Sequence, residues 1–205
     1  EQNQLDLKLK TAGKHYVKNA TALLTLTVAL NLSSSKAISA LLKWTPSAGR
    51  GQVSEINFKK DNCRIAILLI DESYNANPGS MRSALETLAC IFTNKNKNYA
   101  HSRRIAVLGD MLELGPSEVI EHINISKFAK LSQIDKISCV GLRMRRLFEV
   151  LPPSKQGFWT KTAEEMQHVL VNKFKNGDIV MIKGSFSMGM NTIVSELKRL
   201  NNLEF

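Results

Sequence analysis

The sequence predicts an α/β protein: a Rossmann-like, doubly wound, mostly parallel sheet preceded by a helical segment. Two observations carry this. From residue 53 onward, short aliphatic runs alternate with segments whose apolar residues recur at helical spacing, the order in which strand–helix–strand units build a parallel sheet. Runs such as Ile65-Ala66-Ile67-Leu68-Leu69-Ile70 are also apolar at every position rather than every second one, which suits strands covered on both faces.

The first fifty residues follow a different pattern. Residues 5–9 (Leu-Asp-Leu-Lys-Leu) alternate with period two and predict one short strand. After a turn at Gly13, Val17, Ala20, Leu24 and Val28 lie at helical spacing, and Leu23, Leu26 and Leu30 widen the stripe. Ser33–Ser35 end that helix and can cap a second one, whose apolar face is Ile38, Leu41 and Leu42. Pro46 through Gly51 read as a loop. One strand and two helices cannot bury so much apolar surface alone, so residues 1–52 are expected to close a domain whose front is missing.

The second part begins with the alternating stretch Val53–Lys59 and the buried run Arg64–Ile70. Asn77-Pro78 then gives a capping residue with proline in the first helical position, ahead of Met81, Leu85 and Leu88. Strand Ile105–Leu108 leads to one helix carrying Ile120, Ile123, Phe128 and Leu131. Strand Ile137–Val140 leads to a short helix with Met144, Leu147 and Phe148. Thr162 with Glu165 predicts a reciprocal capping box for a helix carrying Met166, Val169, Leu170 and Phe174. Strand Ile179–Ile182 precedes a last helix with Met190, Ile193, Val194 and Leu197. The polar segment Thr93–Ser102 reads as a mobile surface loop.

Composition narrows the class of function. A hydrophobic content of 43% with 22% charged residues supports a normal globular core. No apolar run approaches the roughly 18–20 residues of a membrane span, and the polar start Glu1-Gln2-Asn3-Gln4 lacks the layout of a secretion signal. A cytoplasmic monomer is the expectation. Cys63, Cys90 and Cys139 are scattered among apolar neighbours and read as buried, reduced thiols. No His or Cys pair has metal-ligand spacing. The formal charge of +10 is spread along the chain without a basic, aromatic-interleaved helix, so it argues for anionic small substrates rather than nucleic acid.

In doubly wound sheets ligands gather at the carboxyl ends of strands, which singles out three segments. Asp71-Glu72-Ser73-Tyr74-Asn75-Ala76-Asn77-Pro78 is the densest polar cluster and opens a helix, a geometry suited to an anion or a ribose. A hydrophilic turn with a good cap is the plainer reading. Gly109-Asp110-Met111-Leu112-Glu113-Leu114-Gly115 could hold an ammonium or a metal, or be a solvated loop. Lys183-Gly184-Ser185 could meet a carboxylate or phosphate, or be surface. His15 and Asn19 share one face of a helix start, and Arg50, between two glycines, is accessible to a phosphate. No Gly-x-x-x-x-Gly-Lys-Ser/Thr occurs, and no Rossmann Gly-x-Gly-x-x-Gly.

Taken together, Gly13-Lys14-His15 with Asn19, Gly49-Arg50, the Asp71–Pro78 segment, Gly109–Gly115 and Lys183-Gly184-Ser185 stand in the order and rough spacing found in the Mur ligase family. Tyr74-Asn75-Ala76-Asn77-Pro78 and Gly-Asp-Met-Leu-Glu-Leu-Gly resemble the branch that adds D-alanyl-D-alanine to UDP-MurNAc-tripeptide. The resemblance covers nearly the whole chain. It implies that residues 1–52 close a central ATPase domain and residues 53–205 form the C-terminal domain. It also implies an ATP- and Mg²⁺-dependent ligase that makes an amide through an acyl phosphate during peptidoglycan precursor synthesis.

By the same resemblance Asn19 would contact adenine, Arg50 the ATP phosphates and Glu72 the ribose. His15, Asp71, Tyr74, Asn75 and Asn77 would line the cleft, and Lys183 and Ser185 would face the peptide or dipeptide. Two positions depart from the family pattern: Tyr16 stands where an Asn is usual, and Glu72 where Asp is common. The family's P-loop and metal ligands are not among these residues, so the chain alone is expected to be inactive. Two other readings are a stand-alone nucleotide- or amino-acid-binding module and a ligase of the folylpolyglutamate synthase type. The Tyr-Asn-Ala-Asn-Pro motif weighs against the second.

Overall fold

A computed structural model describes residues 7–11, 13–91 and 102–201. Gly13, at φ 129°, lies in backbone space that favours glycine and leads into α1, Lys14–Ala29. Ser33 caps α2, Ser34–Lys43, its hydroxyl accepting the Lys36 N–H at 3.4 Å. The two helices bury little: Ala20 and Thr27 are the buried residues of α1, and α2 has none.

The rest is a six-stranded sheet of β1 Gln52–Lys60, β2 Cys63–Glu72, β3 Arg104–Gly109, β4 Lys136–Val140, β5 Gln156–Thr160 and β6 Ile179–Lys183. Its order is β1-β2-β6-β3-β4-β5. Only β1 runs antiparallel, joined to β2 by a two-residue turn in which Asp61 and Asn62 both adopt positive φ. The other neighbours are parallel, as the apolar runs require.

Helices α3 Pro78–Cys90 and α5 Met144–Val150 cover one face, with α4 Glu118–Asn124 packed beside α5, while α6 Ala163–Val171 and α7 Met190–Asn201 cover the other. Side-chain alternation along each strand feeds two cores. Ile70, Ala106, Leu108, Ile137 and Met181 join the first with Leu85 and Leu88. Ile67, Leu69, Val107, Val180 and Ile182 join the second with Met166 and Ile193. Because β6 inserts between β2 and β3, the carboxyl ends of these three strands meet at the centre of one sheet edge.

Several expectations are corrected. Residues 7–9 form no strand, since no neighbouring strand offers them a ladder, and residues 5 and 6 lie outside the described residues. The single helix expected across Ile120–Leu131 is α4 followed by two short 3₁₀ turns, Ile125–Lys127 and Ala129–Gln133, with Phe128 extended between them. The box at α6 is half formed: Thr162 accepts the Glu165 N–H at 3.3 Å, but the Glu165 carboxylate takes the Lys161 N–H at 2.9 Å. Phe174 is buried beyond that helix rather than on it. Strand β5 was not expected. Cys63 is exposed at the start of β2, Cys90 is half-buried and only Cys139 is fully buried, all three as free thiols. Of the proposed mobile loop, residues 93–101 lie outside the described residues. No described helix is long and apolar enough to cross a membrane.

Candidate functional site

The period of a strand decides the fate of two adjacent acids. Glu72 pairs in register with Lys183 across β2 and β6, so both side chains leave the same face of the sheet. Lys183, 2% exposed, has its Nζ 3.5 Å from the Glu72 carboxylate and donates to the Asn75 carbonyl oxygen at 2.9 Å. Asp71 points to the opposite face. Its buried carboxylate accepts the Gly49 N–H at 3.1 Å, the Ser73 N–H at 3.2 Å and the Ser73 hydroxyl at 2.6 Å, with Lys198 3.8 Å away.

Those bonds fasten the loop before β1 to the end of β2. Gly51 donates its N–H to the Asp71 carbonyl at 2.7 Å, and Tyr74 donates to the Gly49 carbonyl at 3.1 Å. Gly49 has φ 75°, and a Cβ there would stand 2.8 Å from the Tyr74 backbone nitrogen, so only glycine fits. Arg50 is thereby presented at the surface, its guanidinium 4.1 Å from the centre of the Tyr74 ring.

Helix α1 supplies the facing wall. Tyr16 donates its hydroxyl to the Arg50 carbonyl, His15 Nδ1 lies 3.2 Å from the Ser83 hydroxyl of α3, and Lys14 pairs with Glu86 at 2.7 Å. The result is a cleft of about 430 Å³. His15, Tyr16, Asn19 and Trp44 line one side; Arg50, Glu72, Tyr74, Asn75, Asn77 and Lys183 line the other.

Burial sets the electrostatics of this cleft. It holds the Lys183 ammonium below the usual lysine range, with the Glu72 carboxylate opposing the shift. His15 is likewise lowered, by burial first, against the pull of Glu72. The Tyr16 phenol is pushed up to about 12 by burial and then by Glu72. At neutral pH the cleft therefore offers two neutral aromatic donors, one arginine, and a carboxylate braced by a lysine.

A second cavity of about 630 Å³ adjoins it, lined by Tyr74, Asn75 and Asn77, by Leu112–Leu114 and by Ser185–Ser187. The three strand ends are stitched there by Ser185, whose hydroxyl accepts the Leu112 N–H at 2.9 Å and reaches the Ala76 carbonyl at 3.4 Å. His122 is fully buried; its Nε2 accepts the Met111 N–H at 2.9 Å and its Nδ1 faces the Glu118 carbonyl at 2.6 Å. Those partners fix the tautomer with the proton on Nδ1. Asp110, read from sequence as an ammonium or metal ligand, instead accepts the N–H groups of Arg143 (3.2 Å) and Met144 (2.7 Å) at the start of α5. Among the described residues no group of three or more His, Cys, Asp or Glu is placed to hold a metal.

Eight sequence-derived candidates thus share one cleft: His15, Asn19, Arg50, Glu72, Tyr74, Asn75, Asn77 and Lys183. Ser185 lines the adjoining cavity, and Asp71 lines neither. Asn77 also caps α3 through a reciprocal box with Ser80, at 2.8 and 3.0 Å. Sequence reasoning missed Trp44, Ser47 and Ser80 as lining residues, and His122 as the brace of the Gly109–Gly115 loop. A lone His between Glu121 and Ile123 carries no periodic signal that could have revealed it.

Residues 58–186 match the family described as Mur ligase, glutamate ligase domain, more than half of the chain. The UDP-N-acetylmuramoyl-tripeptide--D-alanyl-D-alanine ligase of Escherichia coli is 31% identical over 95% of this chain and 39% of its own length. The enzyme of that name from Mycobacterium bovis is 27% identical over 95% of this chain and 40% of its own. A crystal structure of MurF from Acinetobacter baumannii superposes with a TM-score of 0.74 at 28% identity, covering 94% of this chain and 39% of that one. The chain spans about two fifths of the length of the relatives it matches. With the fold, the motif order and the matched domain in agreement, the chain belongs to the Mur ligase family and resembles its MurF members.

Proposed function

We propose that this chain is the nucleotide-closing and acceptor-side portion of an ATP-dependent ligase that adds D-alanyl-D-alanine to UDP-MurNAc-tripeptide in peptidoglycan precursor synthesis. The observation that carries the proposal is the cleft itself, in which groups from the first fifty residues and from the ends of β2 and β6 face one another. Residues 1–52 then close a central ATPase domain, and residues 53–205 form the C-terminal domain. The same reading carries a cytoplasmic monomer.

The residues fit a nucleotide. His15, Tyr16 and Trp44 form an aromatic wall, with ring centroids 3.9 and 5.5 Å apart along the series, and Asn19 beside them can pair with adenine. Glu72 is a ribose acceptor held in place by Lys183, and Arg50 can turn its guanidinium from Tyr74 towards phosphate oxygens. Tyr16, in place of the usual Asn, ties α1 to the Arg50 carbonyl instead of presenting an amide to the base. ATP would supply the phosphoryl group that activates the acceptor carboxylate. Asn75, Asn77, Lys183 and Ser185 bound the side on which peptide and D-alanyl-D-alanine would meet. No described cluster fits Mg²⁺, and no step is assigned through it.

In the intact ligase, Arg50→Ala or Glu72→Ala should lower kcat/KM for ATP roughly ten- to hundredfold, since a charged hydrogen bond contributes about 1.5–3 kcal/mol; the melting temperature should hold in Arg50→Ala and fall in Glu72→Ala, which leaves the buried Lys183 without its carboxylate. Unchanged kinetics in both variants would remove these residues from the site. The 205 residues by themselves contain no P-loop and should bind Mg-ATP no tighter than millimolar, without turnover. Micromolar binding by isothermal titration, or phosphate release above a blank, would favour the stand-alone binding module.

A further inference from the structure

Away from the cleft, the end of α3 brings a thiol and an amine together. Cys90, the last residue of α3, and Lys130, in the 3₁₀ turn Ala129–Gln133, are 40 residues apart in sequence, yet Lys130 Nζ lies 2.8 Å from Cys90 Sγ. Sulfur is a weak hydrogen-bond acceptor, so an ordinary contact has little reason to close inside the van der Waals separation of nitrogen and sulfur. The amine is also aimed. Glu86, one helical turn before Cys90, holds Lys130 Nζ at 3.4 Å and Lys14 of α1 at 2.7 Å.

Access is provided as well. Cys90 is half-buried and lines a groove of about 330 Å³ together with Gly13, Ser83, Glu86 and Thr87. The other thiols differ: Cys139 is sealed in the core, where burial pushes its thiol far up, and Cys63 stands exposed at a strand start. What an oxidised Cys90 finds at contact distance is an amine.

We propose that Cys90 and Lys130 form a reversible covalent bridge in which one oxygen atom links the lysine nitrogen to the cysteine sulfur. The oxidant is dioxygen: Cys–SH plus H₂N–Lys plus O₂ gives Cys–S–O–NH–Lys plus H₂O. The S–H bond, one N–H bond and the O–O bond break, while S–O and O–N bonds form. Sulfur and nitrogen each give up two electrons to dioxygen, and the two hydrogens leave with the second oxygen as water. Two equivalents of a dithiol return the thiol and the amine, releasing the bridging oxygen as water. The bridge ties α3 to the turn that follows α4 and takes the Lys130 charge away from Glu86. Oxidation therefore alters the carboxylate that anchors α1 through Lys14.

The test uses the full chain, kept in air-saturated buffer or in dithiothreitol, digested with trypsin and analysed by mass spectrometry. The expected product joins the Cys90 and Lys130 peptides with a mass equal to their sum plus one oxygen and less two hydrogens. It should vanish on reduction and be absent from both Cys90→Ser and Lys130→Arg. The oxidised wild type should also melt several degrees higher than the reduced, because the link closes a long loop. Three outcomes would overturn the proposal: no linked peptide after oxidation, a link of direct S–N mass lacking the oxygen, or Cys90 recovered only in a disulfide.

Discussion

The sheet and the helix pair α1–α2 wall the same cleft but are held by different physics. Every residue of β6 is buried, and the sheet separates two continuous apolar cores. On the helix pair, Val17, Leu26, Val28 and Leu30 are each more than half exposed. What seats α1 against α3 and the Arg50 loop is a short set of polar contacts: Lys14 to Glu86, His15 to Ser83 and Tyr16 to the Arg50 carbonyl. Exposed pairs of this kind contribute little each, whereas a buried Leu contributes through dozens of contacts. Glu72 and Lys183 are therefore fixed by the sheet, while His15 and Asn19 stand on a helix whose apolar face the described residues leave largely uncovered.

The largest expected contrast tests that asymmetry directly. Leu88→Ala, at a fully buried position of α3, should cost about 2–5 kcal/mol by urea denaturation, against about 0.5 kcal/mol or less for Leu26→Ala. Equal losses would mean that α1 is as firmly built in as the sheet.

Asp71 comes next, because it fastens the Arg50 loop to the rigid wall. Asp71→Ala leaves three donors without their acceptor and should cost roughly 2–4 kcal/mol. Asp71→Asn, which keeps one acceptor, should fall between it and the wild type. A loss below about 1 kcal/mol in the alanine variant would show that the loop holds itself.

Asn77 separates capping from binding. Removing the cap should lower stability by about 1 kcal/mol, and in the intact ligase the loss of activity should be the larger effect. A variant that melts earlier yet turns over normally would assign Asn77 to capping alone.

The smallest effect is a pH slope. The folded pKa of His15 lies below its ordinary 6.5, chiefly through burial. The unfolded chain therefore takes up a proton first as pH falls. Stability on this account declines below about pH 6.5 and levels off under the lowered folded value. His15→Gln should flatten that part of the curve, and an unchanged slope would place the imidazole in solvent rather than in the cleft.

The fold was legible largely because its signals are local. Continuous apolar runs declared buried parallel strands, and Asn77-Pro78 declared the start of α3. The broken segment after α4 was not legible: its apolar residues kept a helical spacing, but Phe128 and Leu131 are drawn into the sheet core, and the backbone turns to deliver them. β5 was missed because Gln156–Thr160 is a half-buried edge strand without an apolar run. Of the site, the motifs marked which loops matter but could not assign jobs within them. Asp71 and Glu72 are chemically alike and adjacent, and only strand phase tells the brace from the cleft acid.

The sequence by itself determined the class of fold, the three loops at the strand ends and the family resemblance, because each is written in residue spacing along the chain. Only the tertiary structure decided which groups meet. The crossing of β6 between β2 and β3 puts Lys183 against Glu72, 111 positions apart. The packing of α3 on the 3₁₀ turn after α4 sets Lys130 on Cys90. Such pairings depend on how strands are ordered and how faces are covered, and those follow from burying apolar surface across the whole chain at once.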